Sequence, residues 1–388
     1  MSAVPFYDLR QPTRWAAAPA AFSFSSLQAI RNCARRWQLT HSEWGELARF
    51  PARQLPSAIE GQIIHAAIEL LARELGRSGR PPIGSPSFAQ ALERCGFWAF
   101  FSQQVEEWNA RLSTHPRTGP RYVVRSSPRD LANQAVSLFR ERYRPGPVSN
   151  GVTAVASRVQ ARDVPERLAP LELLRLRGAL SELKLNHPTL PFTGVIDMVS
   201  LEGDGTVTIA DFKTGERQAA HEEQLLLYAL LWWRETGTLS ARCVVQYLEA
   251  SVEFVPSASG LIEAERALAV QIREAQKSLS EQPAIARPGD ACSWCSVRPR
   301  CDEGWVRVAG KGRSASLDIQ VTVGTTPTPT GFLAQLGNGD ELPVVFSQAV
   351  GAGVPQLSVG ESVRILDAMK PDNSDEVELK PWTEVYRM

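Results

Sequence analysis

The stretch from 194 to 215, GVIDMVSLEGDGTVTIADFKTG, decides how the rest of the chain is read. Two apolar runs flank Gly203-Asp204-Gly205, so the segment predicts a β-hairpin. Asp197 falls inside one of those runs, where a carboxylate is costly unless a cation or donor meets it. Asp211 and Lys213 are two apart, so they share a strand face with Val207 and Ile209, while Phe212 points the other way. Turn length then settles the geometry. A three-residue turn pairs Glu202 with Thr206 and sets Asp197 opposite Asp211 on one face; a two-residue turn separates the acids. Gly205 supplies the left-handed residue that the longer turn takes.

Two adjacent carboxylates with a lysine beside them suit a hard divalent cation such as magnesium. Such an ion polarises a phosphoryl oxygen and lowers the pKa of water. Lys213 would orient or activate that water and offset charge in the transition state. A D-x-K triplet alone is a common surface ion pair; Asp197 in an apolar strand favours the catalytic reading.

Residues 56–75 predict an amphipathic helix, with a Ser57/Glu60 capping box and a broad aliphatic stripe. His65 lies off that stripe, on the face of Gly61, Gln62 and Glu69, and is a candidate further ligand that suits manganese as well as magnesium. The helix after the D-x-K strand, 221–237, puts Gln224 and Tyr228 on one face, within reach of a scissile phosphate or of Lys213. Glu182, in SELKL, is a candidate further acidic contributor to this site, although strand-edge glutamates are frequent.

The 388 residues balance 42 Lys and Arg against 42 Asp and Glu, so no global field draws in a polyanion and any such contact must be local. The longest apolar run, Leu225 to Trp233, is too short to span a membrane. The start, RWAAAPAAFSF, lacks the unbroken apolar core of a secretory signal, and a cytoplasmic location is expected. The expected organisation is a flexible arm over 1–22, a main domain over 23–306, a linker over 307–316 and a small domain over 317–388. In the main domain, 22–39 predicts one helix capped by Ser25, with Leu27, Ile30, Ala34 and Trp37 on one face. Residues 86–112 and 131–143 predict two more, separated by a basic loop carrying Arg117, Arg121, Arg125 and Arg129. From Leu317 onward only short strands and turns occur, predicting a β-barrel of about five strands; an oligonucleotide-binding barrel is one candidate.

Of six cysteines, Cys95 and Cys243 sit alone in apolar surroundings and are expected in the core. Cys33, Cys292, Cys295 and Cys301 remain, the last three within ten residues. In a cytosolic chain such clustering favours a metal over disulfides, and the spacing alone leaves zinc and iron–sulfur both open.

SFSSL…NCARRW, GQIIH, GVIDMV, ADFKTG, QLLLY and CSWCSVRPRC occur in that order from about Ser23 to Trp305. On these motifs the chain resembles the PD-(D/E)xK nuclease superfamily, in its RecB-like iron–sulfur branch. That branch includes the nuclease parts of bacterial recombination helicase–nucleases, a CRISPR-associated exonuclease family and a eukaryotic replication helicase–nuclease. The resemblance implies an α/β, restriction-endonuclease-like core, a mixed central sheet flanked by helices. It implies His65, Asp197 and Asp211 as ligands of magnesium or manganese, Lys213 as catalytic lysine, and Gln224 and Tyr228 as the Q-x-x-x-Y element. It implies that Cys33, Cys292, Cys295 and Cys301 hold a 4Fe–4S cluster that clips the two ends of the domain together. Ala34 departs from the proline that often follows the first cysteine.

With the ends so joined, Arg31, Arg35 and Arg36 would converge with Arg298 and Arg300 into a phosphate-binding rim. Trp37 and Trp294 are candidates for stacking on bases. The implied activity is that of a metal-dependent deoxyribonuclease. It would act as an exonuclease or end-processing enzyme on single-stranded DNA or free ends, in repair, recombination or phage defence. The alternative is a non-catalytic module that binds DNA ends or scaffolds a complex. No GxxxxGK[ST] motif occurs, so a helicase or defence complex would be a separate partner.

Overall fold

The computed structural model describes residues 6–7, 11–45, 50, 52–115, 117, 123–145, 168–310, 316–347, 357–371 and 375–388. Strand β1 (Phe6–Tyr7) precedes helices α1 (Phe24–Asn32), α2 (Ala34–His41), α3 (Pro56–Arg77), α4 (Pro86–Arg94), α5 (Phe97–Thr114), α6 (Pro128–Arg142) and α7 (Pro170–Arg177). Then come β2 (Ala179–Asn186), β3 (Thr193–Leu201), β4 (Val207–Lys213), α8 (Ala219–Thr236), β5 (Arg242–Tyr247), β6 (Ser251–Phe254) and α9 (Ala258–Ser278). Two short turns of 3-10 helix lead to α10 (Asp302–Val308). The chain ends in β7 (Ser316–Val323), β8 (Gly331–Gln335), β9 (Glu341–Phe346), β10 (Ser362–Met369), β11 (Val377–Leu379) and β12 (Glu384–Arg387).

Strands β2 to β6 form one mixed sheet in sequential order. β3 is antiparallel to β2 and β4, whereas β5 is parallel to β4 because α8 carries the chain back across the sheet. The two sheet faces build separate cores. Val199, Val207 and Ile209 pack with α1, α8 and α9, and Met198, Ala210 and Phe212 pack with α3, α5 and α6. Helix α8 is buried almost all round, from Leu225 to Trp232, as befits a helix sandwiched between the sheet and α9. The α/β class and the mixed, helix-flanked sheet are as expected.

Several boundaries differ from expectation. The helix expected over 22–39 is two, because Cys33 adopts extended backbone (φ −164°, ψ 106°) between α1 and α2. The cap is Ser23, not Ser25: Ser23 Oγ accepts from the Ser26 amide, and Ser26 Oγ accepts from the Ser23 amide. Glu60 does not close a capping box; Pro56 opens α3, and the Glu60 carboxylate accepts from the amides of Arg125 and Ser126 at 2.9 and 3.0 Å. Gly96, with φ 63°, divides the helix expected over 86–112. Cys243 is fully buried, as expected, whereas Cys95 is half-buried.

The C-terminal strands close a five-stranded barrel in the order β7-β8-β9-β11-β10, with β10 pairing back onto β7. β9 and β11 are parallel, and β12 adds outside β10. Of the loose arm expected over 1–22, the described residues include some that are packed: β1 pairs with β12, Tyr7 stacks on Tyr386 at 4.9 Å, and Phe22 is fully buried, while residues 1–5 and 8–10 lie outside the described set. In the linker expected over 307–316, α10 continues to Val308 and the Gly310 amide donates to Asp318 O; residues 311–315 lie outside the described set.

The barrel segment 317–388 carries ten Asp and Glu against four Lys and Arg, a net of −6. Several of those acids meet arginines of the rest of the chain. Asp318 takes both prongs of Arg298 at 2.7 and 3.1 Å, with both side chains buried. Glu384 accepts from Arg117 at 3.0 Å and from Arg53 at 2.9 Å. Arg53 also reaches Asp367 at 2.6 Å. Burial pushes Glu384 up, but Arg117 and Arg53 more than offset it and hold the carboxyl below its ordinary range. The barrel is therefore keyed to the main domain by charge, and its surplus of acid is ill suited to gripping phosphates.

Candidate active site

The hairpin forms with the odd-length turn. Glu202 N–H donates to Thr206 O at 2.8 Å around Gly203-Asp204-Gly205, and Gly205 has φ 82°. The pairs Leu201–Val207, Val199–Ile209 and Met198–Ala210 follow, so Asp197 comes opposite Asp211. Asp197 Oδ2 accepts from the Phe212 amide across that gap at 2.7 Å.

β2 brings a third acid to the same place. The pairs Ser181–Met198 and Leu183–Ile196 bracket Glu182 and Asp197, which face each other. Glu182 has φ 50°, a left-handed conformation that is uncommon for a non-glycine residue and strained inside a strand. Helix α3 supplies the imidazole. His65 Nδ1 lies 3.6 Å from Asp197 Oδ2. The helix can approach because Gly61 has no side chain: a Cβ there would meet Thr214 Oγ1 at 3.1 Å. His65, Glu182 and Asp197 each offer a ligand atom, all mutually within 4.8 Å. They line an open recess with Gly61, Gln62 and Glu69, the helix face singled out in the sequence.

The expected trio was His65, Asp197 and Asp211; the geometry instead groups Glu182 with His65 and Asp197. Asp211 stands next to them, 1% exposed, with Oδ2 at 2.8 Å from Lys213 Nζ. Lys213 Nζ also donates to Gln224 Oε1 at 3.1 Å, and Gln224 Nε2 donates to Tyr228 Oη at 2.7 Å. So Gln224 and Tyr228 steady the lysine rather than line the acid recess as a pair. Gly194 makes room for this: a Cβ on it would press Tyr228 and Leu231 at 2.8 Å.

Electrostatics mark the site as short of positive charge. Burial pushes Asp197 up to about 7, against a hydrogen bond from Phe212 and the charge of Lys213. Burial and then the neighbouring Asp197 push Asp211 up to about 7. Glu182 is raised by burial, and burial lowers His65. A neutral imidazole among crowded oxygens is a donor set that fits a hard or borderline divalent cation.

The four expected cysteines converge as well. Cys33 lies between α1 and α2; Cys292, Cys295 and Cys301 lie on the turns before α10. All four line one recess, and none is in a disulfide. Gly304 keeps it open, since a Cβ there would lie 3.3 Å from Cys301 Sγ and 3.6 Å from Cys292 Sγ.

The expected arginine rim is largely absent. Arg298 is 1% exposed and spent on Asp318; Arg300 donates to Arg387 O and Tyr7 O. Arg35 donates to Ala284 O and pairs with Glu303. Arg31 contacts Gln28 and Glu223, leaving Arg36 as the exposed arginine of this group that lines a groove. Arg117 is buried on Glu384, and Arg121 lies outside the described residues. Trp37 is buried, whereas Trp294 is 78% exposed.

The mixed sheet gathers three carboxylates, an imidazole and a lysine at one point. The model of the PD-(D/E)XK nuclease superfamily matches residues 21–302, and the chain belongs to that superfamily. No curated protein matches the chain. Among solved structures, one titled "Crystal structure of SSO0001" aligns at 12% identity over 63% of this chain and 94% of that chain, with a TM-score of 0.24. No described helix is long and apolar enough to cross a membrane.

Proposed function

We propose that the protein is a metal-dependent deoxyribonuclease that trims single-stranded DNA or free DNA ends. The observation that carries this reading is the buried meeting of Asp197 and Asp211 across a β-turn, with Lys213 2.8 Å from Asp211, in a chain of a nuclease superfamily. His65, Glu182 and Asp197 would hold magnesium or manganese, with Asp211 completing the acidic set. A divalent ion held there would supply Lewis acidity toward a phosphoryl oxygen and toward water. The protein's own part is positional. Gln224 and Asp211 engage two of the three Lys213 N–H donors, and the third is left for a phosphate oxygen as its charge grows. Tyr228 keeps the Gln224 amide turned so that its oxygen faces Lys213.

The cysteine recess is read as the seat of a 4Fe–4S cluster, since four free cysteines line it in the spacing that resembles the iron–sulfur branch. Absorbance near ~400 nm with iron in the purified protein supports this; a colourless protein containing zinc rejects it. The parallel β9–β11 pair and the closure of β10 on β7 give the barrel the connectivity of an oligonucleotide-binding barrel, used here as an internal clamp.

The deciding assay incubates labelled single-stranded and duplex DNA with the protein and magnesium or manganese, beside Asp211→Ala and Lys213→Ala. Metal-dependent loss of substrate that both variants abolish is expected. Tight binding without cleavage by the wild type would mark a binding module instead.

A further inference from the structure

The Lys213–Gln224–Tyr228 chain separates two openings. Tyr228 lines the acid recess with His65, Glu182 and Asp197, whereas Lys213 and Gln224 line a groove beside α1 and α2. His221 lines that groove too, three residues before Gln224 on α8 and so on the same helix face. On the sheet below, β5 places Tyr247 in register with Lys213 of β4. Tyr247 is buried, and its Oη lies 2.9 Å from His221 Nδ1, the one hydrogen-bond partner of that hydroxyl among the described residues. This contact fixes where the imidazole proton sits. Burial raises Tyr247, so the phenol keeps its proton, and a buried hydroxyl donates where an acceptor is in reach. Nδ1 is that acceptor, which puts the ring proton on Nε2. Burial, and then the charge of Lys213, lowers His221, so the ring is neutral at neutral pH. Nε2 has no hydrogen-bond partner among the described residues and reaches solvent.

We propose that His221 is a substrate-contacting residue, whose Nε2–H donates to a non-bridging oxygen of the phosphate next to the scissile one, on the groove side of Lys213. The proposal deepens the nuclease reading and rests on it for the nature of the ligand. A strand whose scissile phosphate sits between the acids and Lys213 continues past the lysine into the groove, where His221 offers an unengaged N–H. Contacts of this kind set the register of a nucleic acid strand without reading its bases. A neutral donor suits the place. A second cation there would be repelled by Lys213 and by a divalent ion in the recess, whereas an N–H adds a phosphate contact without that cost. Tyr247 is then a positioning residue: its hydroxyl holds the ring in one orientation and one tautomer.

The test measures affinity by fluorescence anisotropy in EDTA, where no hydrolysis can occur, for labelled single-stranded oligothymidylate and oligodeoxyadenylate. His221→Leu keeps bulk without a donor, and His221→Gln carries an amide N–H at a similar reach. His221→Leu is expected to weaken binding roughly tenfold, equally for both oligomers because the phosphates are common to them, and His221→Gln to regain most of it. Tyr247→Phe should weaken binding by roughly threefold, and should add nothing to His221→Leu, since it acts through the imidazole. Melting temperatures report whether the fold survives; should His221→Leu fold poorly, His221→Phe, a ring without an N–H, takes its place. Unchanged affinity in the donor-less variant, a loss that His221→Gln fails to relieve, or a loss confined to one oligomer overturns the inference. A wild type that cleaves DNA while its affinity ignores His221 rejects this inference alone. His221-dependent binding without any cleavage by the wild type rejects the hydrolytic reading and leaves the phosphate contact standing.

Discussion

Glu182 faces Asp197 directly across β2 and β3, and among the described residues of that sheet it alone has a left-handed non-glycine backbone. Such strain costs on the order of 1–3 kcal/mol and persists where function holds it in place. Glu182→Gln should fold normally but bind manganese 10- to 100-fold more weakly, measured by calorimetry. Glu182→Gly removes both the strain and a crowded carboxyl. It should melt no lower than wild type in EDTA, and higher if most of the strain is released, while losing the same metal affinity. A drop of several degrees in Glu182→Gly would show that the residue is structural.

Lys213 is held from two sides, by Asp211 and by Gln224, and Gln224 in turn by Tyr228. Removing a group that only orients another costs about 10- to 100-fold. Gln224→Leu should therefore lower kcat by that amount with little change in metal affinity, and Tyr228→Phe should have a smaller effect in the same direction. Lys213→Met should cost at least ~100-fold, since it removes the charge itself. Equal losses in all three variants would argue that Gln224 and Tyr228 contact the substrate directly.

The hairpin chemistry was legible because it follows from parity: with a three-residue turn, counting alone puts Asp197 opposite Asp211. Glu182 was legible only as a candidate contributor, since the β2–β3 connection gives no turn signal that sets register and strand glutamates are common; the structure groups it with His65 and Asp197. The break at Cys33 was equally hidden. Periodicity runs smoothly through Leu27, Ile30, Ala34 and Trp37, yet Cys33 turns extended and caps α2, its Sγ accepting from the Arg36 amide. The arginines misled for a related reason. A basic run in sequence does not disclose its partner, and the partners of Arg117 and Arg298 lie 267 and 20 residues away, in the acidic barrel.

The raised carboxyls give the metal-free protein a characteristic pH response. Asp197 and Asp211 sit near about 7 when folded, against an ordinary 3.8. The folded state thus holds more protons than the unfolded state between those values. Stability without metal should be greatest below about pH 4 as far as these groups are concerned, and should fall as pH rises toward 7. Metal binding needs the deprotonated forms, so the gain in Tm on adding manganese should grow from pH 5.5 to pH 8. Melting curves in EDTA and in manganese across that range check both signs; a manganese gain independent of pH would mean that these carboxyls do not bind the ion.

The junction between barrel and main domain depends on Glu384, which is buried with Arg117, accepts from Arg53 and from Tyr386 Oη, and stands next to the stacked Tyr7. Removing it would take from the buried Arg117 its carboxylate partner at 3.0 Å and leave Arg53 with Asp367 alone of its two acids. Breaking a buried pair from one side typically costs about 3–5 kcal/mol, more than the pair itself contributes, because the remaining charge has no water to return to. Glu384→Ala should therefore lower Tm by several degrees. Glu384→Gln, which keeps hydrogen-bond acceptance but not charge, should fall between. The loss should appear first at the junction: limited proteolysis ought to release a fragment that begins near residue 311, and hydrogen exchange ought to rise in β1 and β12 before the five-stranded sheet responds. Global unfolding of Glu384→Ala with no such intermediate would show instead that barrel and nuclease core fold as one cooperative unit.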